Sequence, residues 1–488
     1  MVRPRTSDDE LLTTNNEQPT SPPPLRKGDE IELRAESAAF EGGCVARYEG
    51  MAVFVEGCVP GDRVLGRIIR KRRRHVEARV IELIEASLDR IDPPCPYFNN
   101  CGGCRWQNLR YSEQLRWKRQ HVVDAIERIG GIRGVDVSET IGCEREYFYR
   151  NKMEFSFGDS RWLTREDIER GEELRRDFAL GLHVPGRFDK VMDIERCLLQ
   201  SEASNRVLAL TRRFALDNDL PSYSTRTHTG LLRHLVIRTS ERTNEMMVIL
   251  VTSDDIPDMM ERYAELMRKE ASEVTTLVQG IHRGRAQVSF TQELRILYGP
   301  GVITERIAGS DFIISPYSFF QTNTIQGEVL YDLALRGAAL TGSEKVWDLY
   351  CGAGTITLAA ARMAHRALGI EINVGAVEDA RRNAERNGVA NAEFIAGDLK
   401  EAIGSAEGLF TPDVVITDPP RAGMHGDVVQ ALLRLGPARI SYVSCNPTTQ
   451  ARDLALLDQS YIVERIAPVD MFPQTYHVET VATLARRS

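Results

Sequence analysis

The run Asp348-Leu349-Tyr350-Cys351-Gly352-Ala353-Gly354 decides the fold class. It follows an apolar, strand-like run from Val346 to Leu349 and precedes a stretch with a helical pattern. Glycines in such a loop let the backbone turn sharply and approach a ligand closely. Glu371 ends the next strand-like run, 17 residues after Gly354, where a carboxylate can accept both hydroxyls of a ribose. Asp398 follows the third run, Glu393 to Ile395, within reach of an adenine edge. A lone Gly-x-Gly is ordinarily a structural turn. Strand, helix and downstream carboxylate together give it more weight. The third glycine of the dinucleotide fingerprint is missing, which favours S-adenosylmethionine over NAD.

Further strand-like runs at Arg366 to Ile370, Val414 to Thr417 and Ile440 to Val443 alternate with helical stretches. That alternation predicts an α/β domain with a parallel, doubly wound sheet. Open sheets of this kind bind ligands at the carboxyl ends of their strands. Three segments fall there: Asp418-Pro419-Pro420-Arg421-Ala422-Gly423, Ser444-Cys445-Asn446-Pro447, and Asp470-Met471-Phe472-Pro473 running on to His477-Val478-Glu479-Thr480. They hold the parts that methylation of uracil carbon 5 requires. Carbon 5 is a poor nucleophile until a thiolate adds to carbon 6, and a base must later remove the carbon 5 proton. Cys445, in a turn restrained by Pro447, is the candidate nucleophile, Glu479 the candidate base, and Asp418 the group that holds the uracil edge. Each has a bland counterpart. A cysteine after a buried strand is more often an inert small hydrophobe, a glutamate before an apolar run caps or solvates, and Asp-Pro-Pro is a turn. Their coincidence at consecutive strand ends favours the chemical reading.

Towards the N-terminus the period changes. Asp29 to Leu33 alternates, Glu41-Gly42-Gly43 and Pro60-Gly61-Asp62 are turns, and Ala52 to Val55, Arg63 to Ile69 and Val76 to Ile84 complete a set of short strands. Such a set predicts a small β-barrel, an architecture that often binds nucleic acid. The net charge of −8 and isoelectric point near 5.8 argue globally against a nucleic-acid binder. A phosphate-binding face needs only local positive potential, however, and Arg67, Arg70, Lys71, Arg72, Arg73 and Arg74 supply it on the barrel surface. Cys95, Cys101 and Cys104, with Cys197 as a distant partner, offer four thiolates for zinc or an iron–sulfur cluster, and spacing does not separate the two. Nine cysteines without a signal peptide point to a reducing, cytoplasmic setting.

Tyr111 to Ile129 reads as an amphipathic helix. Leu231 to Arg238 and Met246 to Thr252 read as strands around a turn at Glu241 to Asn244, and residues 159–176 as a charged, exposed insertion. The first 27 residues are polar and read as a disordered tail. A chain of 488 residues implies two to four domains. No stretch approaches the roughly 18 apolar residues that span a bilayer, so no membrane association is expected.

These motifs resemble the RNA 5-methyluridine methyltransferases, specifically the iron–sulfur-containing branch acting on 23S ribosomal RNA, over nearly everything after the tail. The resemblance implies an RNA-binding, OB-like TRAM barrel at 28–86, a central α+β domain at 87–315, and a Rossmann-like S-adenosylmethionine domain at 316–488. Phe319-Phe320-Gln321-Thr322-Asn323 resembles a family segment whose glutamine contacts the cofactor. Cofactor contacts are then expected at Gln321, Tyr350, Gly352, Gly354, Thr355, Glu371, Asp398 and Asp418. Cys445 is implied as nucleophile and Glu479 as proton acceptor. Cys95, Cys101, Cys104 and Cys197 are implied as ligands of a 4Fe–4S cluster. The implied substrate is 23S ribosomal RNA, with transfer RNA as the alternative, and no protein partner is required of a default monomer. An amino-directed or cytosine carbon-5 methyltransferase and a non-catalytic RNA-binding protein are the competing readings.

Overall fold

A computed structural model describes residues 25–171, 176–291 and 293–488. Most of the expected tail, and residues 172–175 of the charged stretch, lie outside the described residues.

Strict alternation closes the first sheet on itself. Strands β1 (Glu30–Ala38), β2 (Cys44–Tyr48), β3 (Met51–Glu56), β4 (Arg63–Lys71) and β5 (His75–Glu85) form a closed barrel in the order β1-β2-β3-β5-β4. Every second residue of β1 points inward, and Ile31, Leu33, Val53, Val55, Val64, Ile68 and Val76 fill the interior. The outward positions carry ion pairs such as Arg67–Glu30, Arg79–Glu56 and Arg70–Glu77. Much of the basic run is therefore neutralised across strands. Arg73 and Arg74, in the β4–β5 turn, have no carboxylate partner among the described residues.

Helix α1 (Tyr111–Arg128) and the short strand β6 (Asp136–Val137) follow. The central sheet then gathers β7 (Lys152–Gly158), β8 (Ala179–Val184), β9 (Arg187–Asp193), β10 (Leu232–Thr239), β11 (Met246–Thr252), β12 (Thr276–Ile281) and β13 (Glu293–Tyr298), ordered β13-β12-β11-β10-β7-β8-β9. Helix α2 (Arg165–Arg170) lies in the charged stretch joining β7 to β8. Helices α3 (Glu202–Asp217) and α4 (Pro257–Glu270) bury their apolar stripes on one face of this sheet. A hairpin of β14 (Ile303–Ile307) and β15 (Ser310–Ile314) leads into the last sheet.

That sheet is built from β16 (Lys345–Leu349), β17 (Arg366–Glu371), β18 (Ala392–Ala396), β19 (Val414–Thr417), β20 (Arg439–Ser444), β21 (Tyr461–Val469) and β22 (Glu479–Arg486). Its order is β18-β17-β16-β19-β20-β22-β21-β6, parallel from β18 to β20, with β22 antiparallel to both neighbours. Helices α5 (Thr324–Ala338), α6 (Thr355–Ala361) and α7 (Val374–Arg386) cover one face. Helices α8 (Leu399–Glu407), α9 (Gly426–Leu435) and α10 (Pro447–Leu457) cover the other. Val122, Ala125 and Ile126 of α1 join this second face, and β6 adds to the edge of the sheet beside β21. Helix α1 and β6, though they precede residue 316 in the chain, thus pack with this sheet. Among the described residues no helix is long and apolar enough to cross a membrane.

Candidate active site

The loop after β16 holds three alternate left-handed positions, Tyr350 (φ 64°), Gly352 (φ 53°) and Gly354 (φ 83°). The amides of Tyr350 and Cys351 donate to the Ile370 carbonyl at 2.9 and 3.1 Å, folding the loop back over β17. A Cβ at Gly354 would press to 3.0 Å from Phe394 and 3.1 Å from Ala380, so glycine is needed for the close approach as well as the φ. A Cβ at Gly352 would meet nothing within 4 Å, leaving a free cradle above the backbone.

Glu371 borders that cradle, accepting from the Gly352 amide at 3.2 Å and the Asn373 amide at 2.9 Å. Thr355 opens α6 and its hydroxyl meets the Tyr331 phenol at 3.3 Å, while the Gln321 side chain bonds the same phenol. Tyr350 is pushed up to about 12 by burial, with Asp453, Asp398 and Glu371 adding to the effect. Asp398 itself caps α8 through the Lys400 amide at 3.0 Å. Gln321, Tyr350, Thr355, Glu371 and Asp398 therefore gather around one loop. Asp348 lies buried beneath it, accepting from the Thr357 hydroxyl at 2.6 Å, and burial pushes it up to about 7.

The reacting centre follows from strand register. Ser444 and Thr480 are directly paired across β20 and β22, so Cys445 and Glu479, one residue beyond, leave the same sheet end. The Thr480 hydroxyl locks the pair by donating to the Ser444 carbonyl at 3.1 Å and to Gln450 Oε1 at 2.8 Å. Asn446 caps α10 with Pro447 in its first turn, so Cys445 stands at a strand-to-helix corner. Asp418, past the end of β19, is tied to the cofactor loop by its amide bond to the Leu349 carbonyl at 3.3 Å.

These groups feel one another. Burial pushes the Cys445 thiol up to about 11; Glu479 and Asp418 raise it further and Arg421 lowers it. Burial pushes Glu479 up to about 8, with Asp418 raising it and Arg421 opposing. Asp418 rises to about 6 by burial alone. Arg421 Nη2 lies 3.1 Å from His477 Nδ1, and the Arg421 carbonyl accepts from Asn446 and Thr449. Burial, with Arg421, Lys118 and Arg150, pushes His477 down to about 4, so a neutral imidazole accepts from the guanidinium. A carboxyl that holds its proton near neutrality, beside a thiol and a fixed cation that favours the thiolate, is equipped for proton removal next to a nucleophile.

Arg421, His477 and Tyr331 were not assigned roles from sequence. Arg421 stood in a quoted motif, but its role depends on β22, more than 50 residues away. For Tyr331 there was no signal beyond its place on a helix.

Cys95, Cys101, Cys104 and Cys197 line one small cavity, with Tyr97 and Arg150 also on its wall. Burial raises all four thiols, Cys101 and Cys104 to about 12, and Cys95 and Cys197 raise those two further. Among the described residues no three His, Cys, Asp or Glu side chains gather tightly enough to hold a single metal ion. Cys44, Cys58, Cys143 and Cys351 are buried and free.

Residues 234–487 match the family described as tRNA (Uracil-5-)-methyltransferase. A protein of Chlorobaculum tepidum described as an uncharacterized RNA methyltransferase is 43% identical over 469 residues, covering 94% of this chain and 97% of its own. One of Bacteroides thetaiotaomicron, described likewise, is 42% identical over 455 residues, covering 92% and 100%. Among solved structures, the tRNA (uracil-54, C5)-methyltransferase of Pyrococcus abyssi in complex with S-adenosyl-L-homocysteine aligns with a TM-score of 0.72 and 28% identity, over 93% of this chain and all of that one.

Proposed function

The chain belongs to the S-adenosylmethionine-dependent RNA uracil-5-methyltransferase family, and on that premise we propose that it methylates carbon 5 of a specific uridine in 23S ribosomal RNA, with Cys445 as nucleophile and Glu479 as base. The observation that carries this reading is the Ser444–Thr480 register, which brings a thiol and a raised carboxyl to one point beside Asp418 and the cofactor loop.

In this mechanism the Cys445 thiol gives up its proton to solvent and its sulfur bonds carbon 6. The electrons of the C5=C6 bond move towards carbon 5 and O4. Gln321, Tyr350, Thr355, Glu371 and Asp398 would hold S-adenosylmethionine at the Gly352–Gly354 loop, where it would supply an electrophilic methyl group. Carbon 5 would take that methyl group, with S-adenosylhomocysteine as the leaving group. Glu479, ionised, removes the carbon 5 proton; the C5=C6 bond re-forms and the Cys445–C6 bond breaks, returning the thiolate. Arg421 favours the ionised forms of both Cys445 and Glu479. Asp418 accepts from the uracil N3–H.

The cysteine cavity, on the same reading, holds a 4Fe–4S cluster ligated by Cys95, Cys101, Cys104 and Cys197, and shapes an RNA-contacting surface beside the barrel. Supporting this, a Cβ at Gly42 of the barrel would stand 2.7 Å from Arg105, the residue after Cys104. Arg73 and Arg74 offer unpaired cations to phosphate. A transfer RNA substrate is the second reading, favoured by the likeness to the Pyrococcus abyssi enzyme.

Anaerobically purified protein, given S-adenosylmethionine with a labelled methyl group and unmodified ribosomal or transfer RNA in separate reactions, tests both. Labelled 5-methyluridine from ribosomal RNA is the expected digest product. The same nucleoside from transfer RNA alone selects the second reading. Label in 5-methylcytidine or on an exocyclic amine overturns the uracil assignment.

A further inference from the structure

The loop Asp470–His477, which leads from β21 into Glu479, is held by a part of the chain more than 320 residues earlier. Asp470 and Lys118 of α1 are both fully buried, with Nζ 2.5 Å from Oδ1. Lys118 also donates to the Phe472 carbonyl at 3.2 Å, and the Phe472 amide donates back to Asp470 Oδ1 at 3.0 Å. The other carboxylate oxygen accepts from the Tyr111 hydroxyl at 2.9 Å.

One helical turn away, Gln114 and Gln474 pair twice, side-chain amide to side-chain amide and Gln474 N–H to Gln114 Oε1, both at 3.0 Å. The Gln474 carbonyl accepts from the Arg105 and Trp106 amides at 2.9 and 3.0 Å. Gln474 needs such holding, because its φ of 68° lies in the left-handed region that a residue with a Cβ seldom adopts. Tyr476 and His477 follow directly, their rings 4.2 Å apart, and His477 meets Arg421. Burying an ion pair costs desolvation that roughly offsets its attraction, so Lys118–Asp470 adds little stability and acts on geometry instead.

We propose that Lys118 and Gln114 are positioning residues for methyl transfer: they hold the loop so that His477 and Glu479 stand against Cys445. This rests on the reading in which Cys445 and Glu479 carry the reaction.

The test is the paired variant Lys118→Met with Asp470→Asn, which leaves no buried charge unpaired, together with Gln114→Leu. For the paired variant, kcat should fall about 100-fold while KM for RNA and affinity for S-adenosylhomocysteine change less than about threefold, since misplacing catalytic groups costs turnover rather than binding. Alkylation of Cys445 by iodoacetamide in the RNA-free chain should quicken about fivefold once Glu479 is no longer held against the thiol. Gln114→Leu should move both readouts the same way by smaller factors, and it decides the matter if the paired variant does not fold. A kcat within threefold of the parent's, or a loss confined to KM or to cofactor affinity, overturns the proposal while the parent's activity stands. A parent chain that makes no 5-methyluridine overturns the functional reading and this proposal together.

Discussion

Two groups of thiols in this chain are both raised by burial, yet their neighbours differ. Cys101 and Cys104, pushed up to about 12, face other thiols across a cavity. Cys445, pushed up to about 11, faces two carboxyls and an arginine at the end of a sheet. The contrast teaches that burial sets how reluctant a thiol is to ionise, while its partners set what ionisation is for. Thiolates crowded together are relieved by a cation placed among them. A thiol beside Glu479 and Arg421 has an acid–base partner and a compensating charge already in place, and can cycle between states.

The largest effect should break one side of this contrast alone. Cys445→Ala should cut methyl transfer by on the order of 10⁴-fold or more, as removal of a covalent nucleophile does, while leaving the iron content of anaerobically purified protein unchanged. Glu479→Gln should lower kcat by about 10²- to 10⁴-fold. Because the base acts after the methyl group has arrived, it should also accumulate a protein–RNA adduct that survives denaturing electrophoresis.

The pH dependence sharpens the contrast further. Glu479 must be ionised to take a proton and sits at about 8, and the Cys445 thiol, at about 11, must also lose its proton, so turnover should climb steeply up to pH 8 and go on rising, by up to about tenfold per pH unit, towards 11. Stability should run the other way. A carboxyl whose folded pKa is raised contributes stability that is whole below its unfolded value, and loses it as pH climbs through about 8. Glu479→Gln, compared with the parent by thermal melting, should therefore gain relative stability between pH 5 and pH 9. On the other side of the contrast, Cys101→Ser should lower bound iron and weaken RNA binding by about tenfold without unfolding the C-terminal sheet; unchanged affinity would remove the cluster from the RNA surface. The smallest effect belongs to the barrel. Arg73→Ala and Arg74→Ala should each reduce the slope of log affinity against log salt by about 1.

The parallel sheet was legible because its signals are local. Each of β16 to β20 ends in a loop, and Glu371 stands at the end of β17 with its carboxylate against the Gly352 amide. Cys445 and Glu479 were legible as residue types at strand ends. Their proximity was not, because it depends on β22 running antiparallel between β20 and β21. Helix α1 was visible as a helix, but nothing nearby in the chain says that it packs on α10. The available signal was Gln114, Lys118 and His121, polar residues recurring on its buried stripe, which have to find buried partners. Arg421 could be seen but not interpreted, since its effect on Cys445 comes through space. Cys197, 93 residues beyond Cys104, could be read only as an available distant partner, and its role as fourth ligand came from the resemblance.

The central claim is that Cys445 bonds carbon 6 of the target uridine. Substrate RNA carrying 5-fluorouridine tests it most directly, because fluorine at carbon 5 leaves no proton for Glu479 to remove and halts the cycle at the covalent stage. Incubation with S-adenosylmethionine, protease digestion and mass mapping should find a methylated fluorouridine nucleotide on the peptide containing Cys445, and none on that peptide from Cys445→Ala. A trapped nucleotide on another residue, or none from a chain that methylates the unfluorinated RNA, would contradict the account.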